Sequence, residues 1–479
     1  MPANLKSIQL SRNNKNLPII TSLEIIDIAA EGNAIGKKND LVVFVPHAIP
    51  GDIVDVQIKK KRSNYLEGVV LRFEKLSPLR IEPQCEHFGV CGGCKWQDLP
   101  YENQLFYKEK QVKDNLKRIG KVDEGEMFPI IPSDKKYYYR NKLEYTFSCS
   151  RWLTLEEIGS DTEINNRNAV GFHIPGLFDK VLDIKRCHLQ NDPSNDIRLA
   201  LKAFAEEQGF SFCDLRMHTG FMRNLIIRTT STGEIMVIMS FGEDNPVDIE
   251  KTMDFLNNKF PEITALMYVV NLKLNDTIFD LPIILYHGKD HIMEKMEDLH
   301  FKIGPKSFYQ TNSEQAYKLY CVTREFAGLK GGEIVYDFYT GTGTIANFVA
   351  KNCKKIIGVE LIKDAIEDAK INSQINNIGN TSFYAGDIKD VFSSKFIDEH
   401  GRPDVVILDP PRAGIHENVI DCLLTTLPEK IVYVSCNPAT QARDIALLNE
   451  AYAVEKIQPV DMFPQTHHVE NVVLLRRKE

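Results

Sequence analysis

Apolar residues follow different patterns in different parts of this 479-residue chain. Between residues 23 and 73, short apolar runs alternate with turn residues, which is typical of a small β-barrel. Three runs carry this prediction, at residues 23–28, 41–46 and 52–58. Further along, the spacing predicts an amphipathic helix near residues 101–118 and a mixture of helices and strands over residues 137–301.

The last third of the chain consists of fully apolar runs separated by helical stretches, the pattern of buried parallel strands with helical crossovers. These runs lie at residues 333–336, 355–359, 405–408 and 431–434, and two more, at 453–460 and 472–475, predict an antiparallel hairpin. We therefore expect a multidomain protein. Its parts are an OB-like β-barrel in residues 1–78, a central α+β domain in residues 79–303 and an α/β Rossmann-like domain in residues 304–479. The helix near residues 101–118 is expected to pack on the last domain.

Composition narrows the class of protein. The 43% of hydrophobic residues supports several folded cores. Neither a secretory signal nor an apolar run of about 18 residues, the length that could cross a bilayer, is evident, so we expect a cytoplasmic protein without a membrane anchor. The formal net charge of −8 argues against indiscriminate coating of nucleic acid.

A basic cluster stands out against this acidic background. It consists of Lys59, Lys60, Lys61 and Arg62, at the end of a predicted barrel strand. Such a cluster is suited to contact the phosphates of a nucleic acid. A solvated strand end is the alternative, since most runs of charge are no more than that.

A glycine-containing turn, residues 337–344, follows the first strand of the last domain. Its glycines let a ligand approach the backbone where a side chain would collide. Glu360 ends the next strand and can accept hydrogen bonds from two ribose hydroxyls, while Asp387 is placed to read an adenine amino group. This order of features is typical of the S-adenosylmethionine pocket of doubly wound methyltransferases. For each carboxylate taken alone, a helix-capping or surface role is the alternative.

The motif Asp409-Pro410-Pro411-Arg412 indicates the kind of atom that is methylated. Methylases of exocyclic amines carry a similar motif that ends in an aromatic ring, which stacks on the base. Arg412 replaces that ring, so the sequence favours a carbon target. Asp409 is expected to hydrogen-bond the uracil or the cofactor.

Carbon 5 of uracil is a poor nucleophile, so its methylation needs a thiolate that adds to carbon 6 and a base that later removes the proton from carbon 5. Cys436 ends a predicted strand at the edge where open α/β sheets bind ligands. Glu470 opens the last strand and is the candidate base. A buried inert cysteine and an ordinary strand-end carboxylate are the alternatives. Cytosine methylases carry a second cysteine in the motif that holds Asp409, and its absence favours uracil.

The ten cysteines are too sparse for a secreted disulfide framework, and three of them are clustered. The cluster is Cys85, Cys91 and Cys94, with glycines between the thiols. Soft ligands on a tight loop predict a metal site, for which Cys187 is the candidate fourth ligand. Ligation by cysteine alone fits either zinc or a four-iron, four-sulfur cluster, and the spacing does not separate them. A structural role is favoured over a redox role.

Taken in order, the motifs resemble those of the RumA-like bacterial 23S ribosomal RNA uracil-5-methyltransferases along essentially the whole chain. They are Cys85…Cys91-Gly92-Gly93-Cys94, Tyr139-Arg140-Asn141-Lys142, Phe308-Tyr309-Gln310-Thr311-Asn312, residues 337–344, Asp409-Pro410-Pro411-Arg412, Ser435-Cys436-Asn437-Pro438 and His468-Val469-Glu470-Asn471. The resemblance implies a TRAM domain of OB type, a central domain with a four-iron, four-sulfur cluster, and a catalytic domain that uses S-adenosylmethionine.

The resemblance also implies roles for individual residues. Cys436 is the nucleophile and Glu470 the base, and Phe308 and Arg140 contact RNA. The implied cofactor contacts are Gln310, Tyr339, Thr344, Glu360, Asp387 and Asp409. Thr344 stands where the best-known single-site subfamily has Asn, which leaves the modified uridine open.

The barrel and the cysteine cluster favour ribosomal RNA as the substrate, because related transfer RNA enzymes generally lack both. A transfer RNA uridine methylase and a non-catalytic RNA-binding or chaperone protein are the alternatives. No obligate protein partner is expected.

Overall fold

The computed structural model describes residues 17–159 and 164–479. It begins with a closed barrel in the strand order β1-β2-β3-β5-β4. The strands are β1 (Ile19–Ile28), β2 (Ala34–Lys38), β3 (Leu41–Val45), β4 (Ile53–Lys61) and β5 (Tyr65–Lys75). The predicted barrel is confirmed, although neither the short β2, which ends in two lysines, nor β5 was among the predicted strands. The first 16 residues of the predicted barrel domain lie outside the described residues.

The central region is built on a seven-stranded sheet in the order β13-β12-β11-β10-β7-β8-β9, with a two-stranded hairpin, β14–β15, after it. Its elements are α1 (Tyr101–Arg118), β6 (Glu126–Met127), β7 (Lys142–Ser148), α2 (Leu155–Ile158), β8 (Ala169–Ile174), β9 (Leu177–Asp183), α3 (Ser194–Glu207), β10 (Met222–Thr229), β11 (Ile235–Phe241), α4 (Pro246–Lys259), β12 (Ala265–Val270), β13 (Ile284–Gly288), β14 (Ile292–Met296) and β15 (Leu299–Ile303). The apolar sides of α3 and α4 share a core with one face of the sheet. The predicted mixture of helices and strands is confirmed.

The last region is an eight-stranded sheet in the order β18-β17-β16-β19-β20-β22-β21-β6. Its elements are α5 (Ser313–Ala327), β16 (Ile334–Phe338), α6 (Thr344–Val349), a short 3-10 helix (Ala350–Asn352), β17 (Lys355–Glu360), α7 (Lys363–Ile375), β18 (Thr381–Ala385), α8 (Ile388–Val391), α9 (Ser394–His400), β19 (Val405–Leu408), α10 (Glu417–Thr426), β20 (Lys430–Ser435), α11 (Pro438–Leu448), β21 (Tyr452–Val460) and β22 (Glu470–Arg477). Strands β16 to β20 are parallel, and β22 is antiparallel to both of its neighbours, β20 and β21. The predicted Rossmann-like fold with its terminal hairpin is confirmed.

Part of this last fold comes from far earlier in the chain. Strand β6 pairs in parallel with β21, with Glu126 opposite Lys456. Val112 and Leu116 of α1 are buried in the same core as the strands of the eight-stranded sheet. Two elements that precede residue 303, α1 and β6, therefore contribute to the fold of the last domain. The predicted domain boundary at residue 303 remains a prediction. None of the helices in the described residues is long and apolar enough to cross a membrane.

A fully buried ion pair fastens α1 to the loop between β21 and β22. The Lys108 ammonium lies 2.6 Å from an Asp461 carboxylate oxygen, and neither side chain is exposed. The same ammonium donates to the Phe463 carbonyl, and the Tyr101 hydroxyl donates to the second Asp461 oxygen at 2.7 Å. Both charges are therefore paired and hydrogen-bonded, which is the condition under which an interior tolerates them.

Replacing Lys108 with Met is expected to destabilise the protein strongly, because Asp461 would be left as a buried, uncompensated charge. The expected loss in the free energy of unfolding is about 3–5 kcal/mol. Thermal unfolding of the full chain measures it. Lys110→Met is the matched control, since Lys110 lies on the same helix in ion pairs that are about one-third exposed, and its loss should cost about 1 kcal/mol or less. Equal shifts for both variants would contradict the role given to the buried pair.

Candidate active site

Strand pairing brings Cys436 and Glu470 together. In the antiparallel pair β20–β22, Ser435 lies opposite Asn471, so Cys436 and Glu470 occupy the next facing positions at the carboxyl end of β20. The chain turns sharply there, because Pro438 begins α11 and the Asn437 side chain accepts a hydrogen bond from the Ala439 N–H. The sheet therefore holds the thiol and the carboxylate side by side.

The charges at this edge are unusual. Burial raises the pKa of Glu470 to about 8, with a further rise from Asp409 and an opposing effect from Arg412. Burial also raises the pKa of Cys436 to about 11, and the charges of Glu470 and Asp409 add to this. Among the described residues, no group donates a hydrogen bond to the Glu470 carboxylate, so it is free to take a proton. A carboxylate with a pKa near neutrality suits a general base.

Arg412 is the cation that lowers the pKa of both groups. Its backbone is tied to the turn after Cys436, because the Asn437 amide donates to the Arg412 carbonyl at 3.1 Å and the Thr440 hydroxyl donates to the same oxygen at 3.2 Å. The residue that replaces an aromatic ring in the motif is thus fixed beside the candidate nucleophile.

The turn after β16 forms a cradle for a ligand. Gly341 and Gly343 have φ values of 55° and 72°, and a side chain at Gly341 would enter open space. Glu360 accepts hydrogen bonds from the Gly341 N–H at 3.2 Å and the Ile362 N–H at 3.0 Å. The Glu360 carboxylate is therefore held beside the turn, and each of its oxygens can accept a further hydrogen bond. The open space beside Gly341 and the fixed carboxylate fit the ribose end of S-adenosylmethionine.

Asp337, the first residue of this turn, is fully buried. One of its oxygens accepts a hydrogen bond from the Thr340 hydroxyl at 2.5 Å. Burial raises the pKa of Asp337 to about 7, against the opposing effects of the Thr340 hydroxyl and the Ala346 backbone N–H. Hydrogen bonds within the protein therefore hold Asp337 at the start of the turn.

Tyr339 adopts a left-handed backbone, with φ of 63°, that non-glycine residues rarely take. Its backbone N–H donates to the Val359 carbonyl, and the charges of Asp387 and Glu360 both act on its phenol. Asp387 caps α8 and forms an ion pair with Lys389 at 3.1 Å. The structure therefore places Tyr339, Glu360 and Asp387 close together at the carboxyl ends of β16, β17 and β18.

The segment before α5, which carries Phe308 and Gln310, contacts both the central region and the glycine turn. The Phe308 ring is 69% exposed, and its carbonyl lies 3.5 Å from the Thr342 hydroxyl, which is 3.3 Å from that of Thr344. The Gln310 carbonyl accepts a hydrogen bond from the Asn141 amide at 2.9 Å. An exposed ring beside the glycine turn is available to stack on a base.

Two groups of predicted RNA contacts lie apart. Lys59, Lys60 and Lys61 end β4, with Arg62 just after it, and within the described ranges no side-chain bond of these four reaches the catalytic sheet. Arg140 lies at the interface of the domains, its guanidinium 5.7 Å from the centre of the Phe463 ring. The structure thus brings Arg140, but not the barrel cluster, close to the residues around the nucleophile.

The four cysteines predicted to bind metal line one cavity of about 510 Å³. The Gly93 N–H donates to the Cys91 sulfur at 3.4 Å, and the Cys187 N–H donates to the Asn195 side chain at 2.8 Å. In the part of the chain that the structure describes, no three His, Cys, Asp or Glu side chains come close enough to hold one metal ion. The four thiols that line the cavity are soft donors of the type that a cluster or a zinc ion requires.

The sequence motifs did not identify Tyr320, a buried tyrosine close to three carboxyl groups of the candidate site. The Tyr320 phenol, on α5, lies within electrostatic range of Asp409, Asp337 and Glu470, and burial raises its pKa well above the usual value. No local pattern marks such a residue. Only the packing of α5 across β19, β20 and β22 brings it to the carboxyl edge of the sheet.

Comparisons with known proteins agree with this architecture. A family model described as tRNA (Uracil-5-)-methyltransferase matches residues 285–478, and a TRAM domain model matches residues 22–71. An uncharacterized RNA methyltransferase of Bacteroides thetaiotaomicron is 59% identical over 94% of this chain and 99% of its own. One from Porphyromonas gingivalis is 56% identical over 95% of this chain and 99% of its own.

A solved structure is also similar. The Pyrococcus abyssi tRNA (uracil-54, C5)-methyltransferase, in complex with S-adenosyl-L-homocysteine, has a TM-score of 0.73 and 29% identity, and the match covers 95% of this chain and 100% of that one. The relatives match nearly the full length of the chain at well above 30% identity, and the family models match both the TRAM barrel and the methyltransferase region. This chain belongs to the TRAM-containing family of S-adenosylmethionine-dependent RNA (uracil-5-)methyltransferases.

Proposed function

We propose that this protein methylates carbon 5 of a uridine in ribosomal RNA through a covalent adduct with Cys436. The observation that carries the proposal is that Cys436 and Glu470 face each other one position beyond the paired Ser435 and Asn471 of β20 and β22, and that the charge of Glu470 acts on the Cys436 thiol. A nucleophile and a general base placed side by side are what carbon 5 chemistry requires.

The chain's residues act in two stages. Cys436, as the thiolate, adds to carbon 6 of the uracil, and the electrons of the 5,6 double bond move to carbon 5, which then takes up the methyl group. Glu470 next accepts the proton from carbon 5, the double bond re-forms, and the carbon–sulfur bond breaks to release the thiolate. S-adenosylmethionine, held by Glu360 and its neighbours, supplies the electrophilic methyl group. Phe308 stacks on the RNA, and Asp409 hydrogen-bonds the uracil or the cofactor.

Ribosomal RNA is the first candidate substrate because the motifs, the TRAM barrel and the cysteine cluster together resemble the ribosomal group. The test incubates the protein with methyl-labelled S-adenosylmethionine and separate ribosomal and transfer RNA fractions, then maps the label. Label at carbon 5 of a uridine in ribosomal RNA is expected. Absence of label from every RNA would overturn the enzymatic proposal in favour of a non-catalytic RNA-binding protein.

Transfer RNA is the second candidate. The structure from Pyrococcus abyssi, named for uracil 54 of transfer RNA, matches 95% of this chain, so its likeness extends well beyond the catalytic sheet. An overall domain plan of this kind therefore does not by itself separate the two substrates. Label confined to the transfer RNA fraction would select this candidate.

We also propose that Cys85, Cys91, Cys94 and Cys187 hold a four-iron, four-sulfur cluster with a structural role. Support comes from their common cavity and from the resemblance of the cysteine motif to that of the ribosomal group. Iron and acid-labile sulfide measured on anaerobically prepared protein test the proposal. Stoichiometric zinc in place of iron and sulfide would overturn it.

A further inference from the structure

Arg228 is a buried cation that has no counter-ion among the described residues. It lies on β10 and is only 6% exposed. In the same part of the chain its one side-chain hydrogen bond is long, 3.4 Å from Nη1 to the Gly304 carbonyl. Burying an unpaired charge is costly, so proteins that keep one generally present it to a ligand of opposite charge.

Two further cations lie beside it. Lys142 is opposite Arg228 in the pairing of β10 with β7, and its ammonium also forms no ion pair in the described part of the chain. Arg140, two residues earlier, has a buried Nε without a hydrogen-bond partner. Burial lowers the pKa of Lys142, and the charges of Arg228 and then Arg140 lower it further against an opposing effect of Glu144. Three positive groups thus repel one another in a protein whose net charge is −8.

Arg223, on the same strand β10, is a buried arginine whose charge is neutralised. Arg223 is equally buried, but it forms an ion pair with Asp276 at 3.2 Å and donates to the carbonyls of Lys273 and Asn275. The positive charge of Arg223 is therefore neutralised within the fold, whereas the charge of Arg228 has no partner among the described residues.

The position of the three cations indicates the anion. Arg228 contacts Gly304, at the start of the segment that leads to the exposed Phe308 ring, and Asn141, between Arg140 and Lys142, contacts Gln310 of that segment. Arg140 and Lys142 also border the cysteine cavity, but Arg228 does not, so cluster thiolates leave its charge unbalanced. The anion that an RNA methyltransferase brings to these residues is the phosphate backbone of its RNA, and guanidinium groups suit phosphate oxygens.

We propose that Arg228, with Lys142 and Arg140, forms a phosphate-binding site that holds the RNA backbone beside Phe308. The proposal rests on the proposed function for the choice of RNA as the ligand. A phosphodiester bound in this site would neutralise the positive charge of Arg228. It would also hold the RNA strand beside the uridine that is bound near Cys436. Binding there should consequently be strongly salt-dependent.

The test measures the affinity of the full-length protein for a short fluorescein-labelled oligouridine by fluorescence anisotropy over a series of salt concentrations. Arg228→Gln is expected to raise Kd about tenfold to a hundredfold at low salt. It should also reduce the slope of log Kd against log salt by about 0.7, the value for one lost contact to a single strand. Arg228→Lys keeps the charge and should keep the slope.

Arg223→Gln is the matched control. It should lower the unfolding temperature but leave the slope unchanged, because its guanidinium is already neutralised. Should Arg228→Gln fail to fold, Lys142→Gln, at a half-buried position, is expected to show the same loss of slope. A wild-type slope in whichever of these two variants folds would overturn the proposal, as would an effect of Arg228→Gln on binding of S-adenosylhomocysteine instead of RNA. Oligouridine binding is measured without turnover, so failure of the methylation assay would not be confused with failure of this site.

Discussion

Replacing Cys436 with Ala is expected to abolish methylation and to remove any covalent complex between protein and RNA. The thiol lies beside Glu470 at the end of β20, and within the described residues no other cysteine shares that edge of the sheet. Without it, carbon 5 keeps its low nucleophilicity, since nothing adds to carbon 6. Loss of a covalent nucleophile lowers turnover by a factor on the order of 10⁴ or more.

The measurement follows labelled methyl incorporation into RNA and, in parallel, protein–RNA complexes that survive denaturation. Cys422→Ala is the control, because Cys422 lies half-buried on α10 in the same domain and away from the nucleophile. Wild-type activity is expected from it. Methyl transfer by the Cys436→Ala variant at a rate near that of the wild type would rule out Cys436 as the nucleophile.

The second large effect is expected from Glu470→Gln, which should trap the methylated adduct instead of preventing it. The Glu470 charge raises the pKa of Cys436, so a neutral amide makes the thiolate easier to form. Addition and methyl transfer should therefore proceed, while an amide cannot accept the carbon 5 proton and release stalls. Denaturing gels should show RNA bound to protein and carrying the label, with multiple turnover reduced to a trace.

The base step can be observed separately with RNA that carries tritium at carbon 5 of uridine. In the wild type, the step that releases tritium from the preformed methylated adduct should speed up with pH and level off above about 8, because Glu470 must be ionised to accept the proton and its pKa lies there. The variant should show neither the release nor this dependence. Glu455→Gln, on the neighbouring strand β21, should behave as the wild type. Rapid tritium release by Glu470→Gln would exclude Glu470 as the base.

Local patterns in the sequence predicted much of this fold. The apolar runs of β16, β17, β19 and β20 were recognisable because both faces of these strands are buried. The barrel was recognisable from short apolar runs with turn residues between them. Strand β6 was missed, because two residues, Glu126 and Met127, carry no periodicity. Its place in the sheet depends on α1, whose packing is a property of the whole fold.

The candidate site divides in the same way. Cys436, Glu470, Glu360 and Asp387 stand at strand ends, where the topology of an open sheet gathers polar groups, so a motif and a strand prediction sufficed to choose them. Tyr320 and Arg228 lie inside a helix and a strand. Their significance comes from what surrounds them, three carboxyl groups in one case and the lack of any in the other. These surroundings come from residues far apart in the sequence, so the spacing of residues along the chain does not predict them.

The buried pair of Lys108 and Asp461 also bears on how the chain reaches this structure during synthesis. The two residues are 353 positions apart, so α1 leaves the ribosome long before its partner exists. At ordinary rates of elongation the delay is roughly 20 to 70 seconds. Until then Lys108 and the apolar side of α1 must remain in water or be covered by something else. The barrel and the central sheet can close early, while the domain that carries the nucleophile is the last to be completed.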